Sequence, residues 1–167
     1  AVGATRTEQS SRYSITSTHG GRMITCKGDL WDYYNQGYWV AIMTNGDVKA
    51  DGSLVMGRGS ALEAAIRFPT LAKELGKVTQ ATGRPVVCQA VYSQVIGFPT
   101  KYSWRDKKSN LKLIARSAGE LVTLVDELRI SKVYMAAPGT GMGGLKWEDV
   151  EAVISVLLDD RFVVVLR

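Results

Sequence analysis

Two glycine-rich segments carry the clearest chemistry in this 167-residue sequence. The first is Asn45-Gly46-Asp47 followed by Val55-Met56-Gly57-Arg58-Gly59-Ser60-Ala61. The second is Pro138-Gly139-Thr140-Gly141-Met142-Gly143-Gly144-Leu145. Each follows an apolar stretch, directly or after a short connection, and each leads into helical spacing. Amides left free at a strand end and a helix N-terminus attract anions. Glycine lets the backbone approach a phosphate and adopt a positive φ. Two such loops could hold two phosphates, or one pyrophosphate from both sides. Tight turns alone account for one such loop more easily than for two in equivalent places.

Other reactive groups are scarce. His19, the single histidine, sits in a polar stretch, which argues against a Ser-His-Asp triad and His-rich metal chemistry. Cys26 and Cys88 are too few for a disulfide framework or a structural zinc site. Gly139, Gly141 and Gly144 formally match G-x-G-x-x-G, but no acidic residue follows the next strand, so a dinucleotide dehydrogenase is disfavoured. Gly76-Lys77-Val78-Thr79 lacks the rest of a phosphate-binding Walker motif. Neither metal nor cofactor is expected. The formal net charge is +5. Lys101, Arg105, Lys107, Lys108, Lys112 and Arg116 cluster against a lone Asp106, with Tyr102 and Trp104 interleaved. Aromatics beside cations suit single-stranded nucleic acid, where bases stack and phosphates pair. A solvated helix face is the competing reading.

The elements that must position these groups alternate. Strands are expected at Met23–Lys27, Tyr38–Thr44, Pro85–Tyr92, Val95–Phe98, Lys132–Ala137 and Arg161–Leu166. Ser60–Leu75 has helical spacing, with Leu62, Ala65 and Ile66 on one face and Pro69 opening a second segment. Ser109 is placed to cap a long helix carrying Leu111, Ile114, Leu121, Leu124, Val125 and Leu128. Trp147–Leu158 is expected to be helical, with Val150, Val153, Ile154 and Leu157 on one side. The alternation implies a three-layer α/β fold with a mostly parallel or mixed sheet. Residues 1–22 lack this patterning and read as an extension with a short strand near Arg12–Thr16 as the alternative; 23–167 read as one domain. No run is apolar for the length a membrane span needs. A cytoplasmic monomer is the expectation.

The order of motifs resembles a macro domain, the ADP-ribose-binding module with a three-layer α/β/α fold. Lys27-Gly28-Asp29-Leu30 resembles its G-D-[IL] motif, and Asn45 its ribose-contacting asparagine. Gly57-Arg58-Gly59-Ser60-Ala61 and Gly139–Leu145 resemble its two glycine loops. Phe98-Pro99-Thr100-Lys101 with Trp104-Arg105, and Gly141-Met142-Gly143-Gly144-Leu145-Lys146-Trp147, are most similar to the branch of terminal ADP-ribose glycohydrolases and DNA-directed antitoxins.

That resemblance implies roles. Asp29 would select adenine through its exocyclic amine, with Leu30 beside it; capping a following helix is the alternative use of Asp29. Asn45 would contact ribose, or simply make an Asn-Gly turn. The amides of Gly57, Arg58, Gly59, Ser60 and Ala61, and of Gly139, Thr140, Gly141, Met142 and Gly143, would hold the pyrophosphate, with Pro138 beside them in the second loop. Lys101 is the catalytic candidate, with Asn45 assisting. It attacks the anomeric carbon as a neutral amine, or stays charged beside the leaving group. Tyr102, Trp104, Arg105, Lys107 and Lys108 would meet a nucleic acid. Trp31, Tyr33, Tyr34, Tyr38 and Trp39 are expected in the core or beside the adenine. Gly143 stands where the protein-directed glycohydrolases carry an acid. The expected activity is removal of ADP-ribose from a nucleic-acid base or a protein carboxylate. Binding without catalysis and ADP-ribose 1″-phosphate phosphatase action are the alternatives.

Overall fold

The computed structural model describes residues 21–167. The expected alternative strand at Arg12–Thr16 lies outside the described residues, as does most of the proposed extension. A six-stranded sheet has the order β1-β6-β5-β2-β4-β3. Its strands are β1 (Ile24–Lys27), β2 (Trp39–Thr44), β3 (Cys88–Gln89), β4 (Val95–Pro99), β5 (Val133–Ala136) and β6 (Phe162–Leu166). All neighbours run parallel except β3, which pairs antiparallel with β4 at the edge. The helices are α1 (Leu30–Asn35), α2 (Gly59–Arg67), α3 (Leu71–Thr82), α4 (Leu111–Leu128) and α5 (Trp147–Ile154).

Strand alternation divides the core in two. Ala41, Ile96, Phe98, Met135, Phe162 and Val164 pack with α4 and α5 through Ile114, Leu121, Val150 and Ile154. Val40, Ile42, Val95 and Val165 pack with α1, α2 and α3 through Trp31, Ala64, Leu71 and Leu75. Central strands covered on both faces need continuous apolar sequence, and YWVAIMT supplies it.

Four local expectations are corrected. Asn110, not Ser109, caps α4: its side chain accepts from Leu113 N at 3.0 Å. On α2 the buried face is Ala61 and Ala64, while Leu62 and Ile66 are 39% and 73% exposed. Small side chains let α2 lie so close that Ser60 Oγ accepts from Met43 N at 2.9 Å. The Pro85–Tyr92 strand shortens to Cys88–Gln89, because β3 is an edge strand pairing only Gly97 and Ile96. Helix α5 stops at Ile154, leaving Leu157 exposed and Leu158 buried.

Gly76 has a packing use rather than a phosphate-binding one. A Cβ there would strike Gly52 O and lie 2.8 Å from Leu54 N. Helix α3 therefore supports the β2–α2 connection, and Leu54 N donates to Ala72 O at 2.8 Å.

Candidate nucleotide site

Because β1, β6, β5, β2 and β4 are parallel, their C-terminal ends open along one edge of the sheet. Asp29 follows β1 and Lys101 follows β4, with the β6, β5 and β2 ends between them. At the usual strand spacing that edge is about 19 Å long. Ligands of open α/β sheets bind at such an edge.

Asp29 marks one end. Its Oδ1 accepts from Trp31 N at 3.0 Å and caps α1, leaving the other carboxylate oxygen available. The capping and binding roles are therefore compatible. A cavity of about 560 Å³ opens beside it, lined by Asp29, Trp31, Glu63, Ile66, Arg67 and Arg167. Glu63 accepts from Trp31 Nε1 at 3.0 Å and holds Arg167 NH2 at 2.6 and 2.9 Å. These bonds and the Glu63 charge push the Arg167 guanidinium pKa up. The Arg67 guanidinium lies 4.5 Å from the Trp31 ring centre. Glu63, Arg67 and Arg167 carry no motif, and only folding brings Glu63 and Arg167 together across 104 residues. Leu30 is buried, so its side chain serves the core and only its backbone borders the edge.

The first glycine loop opens α2. Gly59 has φ +59°, and the N-cap Arg58 makes no side-chain hydrogen bond to the helix end. Gly57, Arg58 and Gly59 are exposed, whereas Ala61 is buried beneath them. The uncapped first-turn amides remain free for an anion.

The second loop is wound back on itself. Gly139 and Gly144 have φ +71° and +70°, and Leu145 N donates to Gly139 O at 2.9 Å. Thr140 Oγ1 donates to Ala137 O at 3.2 Å. Pro138, Gly139 and Gly143 are buried, while Gly141 and Met142 face outward. Ser109 N donates to Gly143 O at 2.8 Å, joining this loop to the one that carries Lys101. A Cβ at Gly143 would strike Ser109 Oγ and lie 2.5 Å from Gly139 O. Ser109 Oγ is buried and has no hydrogen-bond partner among the described residues.

Asn45 lies between the loops. Its Nδ2 donates to Val55 O and its Oδ1 accepts from Asp47 N, both at 2.9 Å. It therefore makes the expected turn, and a second amide hydrogen and lone pair are left over. Lys101 is half-buried, and its ammonium has no hydrogen-bond or ion-pair partner among the described residues. Tyr102 and Trp104 are 47% and 53% exposed, with Arg105 5.4 Å over the Trp104 ring centre. Lys107 and Lys108 are exposed beside them.

Cys88 does not compete with Lys101 as a nucleophile. Burial, helped by the Glu120 carboxylate, pushes the Cys88 thiol up to about 12, so it stays protonated and inert. Among the described residues, no three His, Cys, Asp or Glu side chains gather to hold a metal ion. No described helix is long and apolar enough to cross a membrane.

A family model for the macro domain matches residues 48–154. The chain belongs to the macro domain family. Within it, a DNA ADP-ribosyl glycohydrolase of Mycobacterium tuberculosis (strain ATCC 25618 / H37Rv) is 36% identical over an alignment of 107 residues that covers 58% of this chain and 30% of that relative. The chain thus spans less than a third of the length of that curated relative. The solved macrodomain of Mycobacterium tuberculosis DarG superposes with TM-score 0.66 at 28% identity, over 89% of this chain and 99% of that one. The macrodomain of Thermus aquaticus DarG gives TM-score 0.66 at 26% identity with the same coverage. The macro domain fold thus agrees with the α/β/α expectation. The family match contains the first glycine loop, Lys101 and the second glycine loop; Asp29, Leu30 and Asn45 precede it.

Proposed function

We propose that this macro domain is an ADP-ribosyl glycohydrolase that releases ADP-ribose from a modified base in single-stranded DNA. The 36% identity to a DNA ADP-ribosyl glycohydrolase carries this reading, and the family match over residues 48–154, which contains Gly57–Ala61, Lys101 and Gly139–Gly143, supports it. The proposed domain is 23–167.

In this reading the ligand lies along the sheet edge. Asp29 receives the adenine amine, and the amides of Gly57–Ala61 and Gly139–Gly143 neutralise the pyrophosphate, with Pro138, which has no N–H to donate, opening the second loop. Backbone donors suit this task because they are fixed before the ligand arrives. The distal ribose then lies between Asn45 and Lys101. Lys101 acts at the anomeric carbon as the bond to the base breaks. Tyr102, Trp104, Arg105, Lys107 and Lys108 receive the strand that carries the base, the rings by stacking and the cations through phosphate.

A binding module without turnover is the second reading. Gly143 favours it, because no carboxylate stands there to activate water. One experiment separates the two: the protein is incubated with an ADP-ribosylated single-stranded oligonucleotide and, separately, with an ADP-ribosylated protein. Release from the oligonucleotide is expected. Binding of free ADP-ribose by calorimetry without release from either substrate would leave only the binding module. No binding at all would sink both.

A further inference from the structure

We infer that Asp47 is a positioning residue whose carboxylate holds the Lys101 loop in register with Asn45. The inference rests on the glycohydrolase reading and adds to it a group that touches no reacting atom.

Two sets of contacts meet at Asp47. Its main chain is tied to Asn45: Asp47 N donates to Asn45 Oδ1 at 2.9 Å, and Asp47 O accepts from Val55 N at 2.9 Å. Asn45 Nδ2 closes the ring by donating to Val55 O at 2.9 Å. Its side chain reaches the other way. Oδ2 accepts from Ser103 Oγ and from Trp104 N, both at 2.7 Å. Ser103 Oγ in turn accepts from Arg105 N at 3.2 Å. Asp47 thus fixes the Asn45 amide with its backbone and the turn after Lys101 with its carboxylate.

The geometry around it supports this assignment. Upstream of Lys101, Thr100 N donates to Thr44 O at 2.9 Å, so the sheet anchors that side. Downstream, the Asp47 carboxylate is the side chain that crosses from the β2 loop. Asp106 also accepts from Ser103 N at 3.1 Å, but that bond stays within the loop and fixes it to nothing else. The two backbones also touch: a Cβ at Gly46 would lie 2.6 Å from Tyr102 O. A charged acceptor makes stronger hydrogen bonds than a neutral one. Two short bonds to one oxygen, at a glycine contact, make a seam with little freedom. Lys101 lies between its two anchored ends, so its amine is aimed relative to Asn45.

The test compares Asp47→Ala, Asp47→Asn and wild type in three measurements: release of ADP-ribose from the ADP-ribosylated oligonucleotide, calorimetric affinity for free ADP-ribose, and amide hydrogen exchange. Small misplacements of reacting groups cost rate steeply, so Asp47→Ala is expected to lose about tenfold or more in kcat. Its affinity for ADP-ribose and the exchange of the central strands stay near wild type, while exchange at Tyr102–Asp106 rises. Asp47→Asn keeps an acceptor oxygen and recovers most of the rate. Should Asp47→Ala fail to fold, Ser103→Ala removes one of the two bonds and is expected to show the same pattern more weakly. Unchanged turnover in Asp47→Ala overturns the inference. So does a parallel fall of rate, affinity and melting temperature, the mark of a purely structural role. Absence of turnover in wild type overturns the glycohydrolase reading instead. The exchange at Trp104 then decides for or against the positioning role alone.

Discussion

At the scale of single residues the site depends on what Lys101 is and what Gly143 is not. Among the described residues Lys101 has no acidic partner, so replacing it strands no buried opposite charge there. Lys101→Ala is expected to keep ADP-ribose affinity near wild type in calorimetry and to lose at least about a hundredfold in turnover of the ADP-ribosylated oligonucleotide. Lys101→Arg separates the two roles open to the lysine. It keeps the charge but not a nucleophilic amine, so it is expected to bind and not turn over; full turnover by the arginine variant would assign Lys101 to charge stabilisation. Gly143 makes the opposite case. Adding an acid there does not convert the site into a Lys/Asp pair, because the first carbon already collides with Ser109 Oγ and crowds Gly139 O at 2.5 Å. Gly143→Asp is expected to destabilise the fold by about 1–3 kcal/mol through overpacking, read as a lower denaturant midpoint, and to gain no activity.

At the scale of elements, what the sequence discloses divides by range. Strands β2, β4, β5 and β6 are readable because burial on both faces demands continuous apolar residues. The two glycine loops are readable because free amides and positive φ are chemical requirements written into single positions. Helix α2 is misread by pattern: Leu62 and Ile66 suggest a buried face, yet Ala61 and Ala64 are what the close approach to β2 accepts. The α4 cap is misread by one residue. Ser109 and Asn110 are both good caps by type, but Gly143 O receives the Ser109 amide, and Asn110 is left with the extended backbone of a cap at φ −110° and ψ 115°. Asn110→Ala should therefore cost about 1 kcal/mol, visible in chemical denaturation, while Asn110→Asp should cost little and Ser109→Ala should not weaken the helix end. Glu63, Arg67 and Arg167 were not legible at all, since nothing local marks a pair of partners 104 residues apart.

At the scale of the whole molecule, the sheet sets the sequence of contacts along one edge and leaves the basic stretch at its far end. The net charge of +5 is a poor guide to function because the pyrophosphate contacts proposed above are uncharged backbone amides. Charge becomes informative only through its placement. Trp104, Arg105, Lys107 and Lys108 are all exposed immediately after Lys101, where a strand bearing the modified base would leave the site. Arg105 and Lys108 make no ion pair with a described carboxylate, so their charges are available to phosphate. Each phosphate contact on a single strand releases counterions, with a slope of roughly 0.7 in log affinity per log salt. Arg105→Ala with Lys108→Ala should therefore reduce the salt slope for binding an ADP-ribosylated single-stranded oligonucleotide by about 1.4. Affinity for free ADP-ribose, which in the proposed placement does not reach these residues, should stay unchanged. A salt slope unaltered by the double substitution would make the stretch a solvated surface and confine recognition to the nucleotide. A matching loss for free ADP-ribose would mean that the two cations act on the pyrophosphate rather than on the strand.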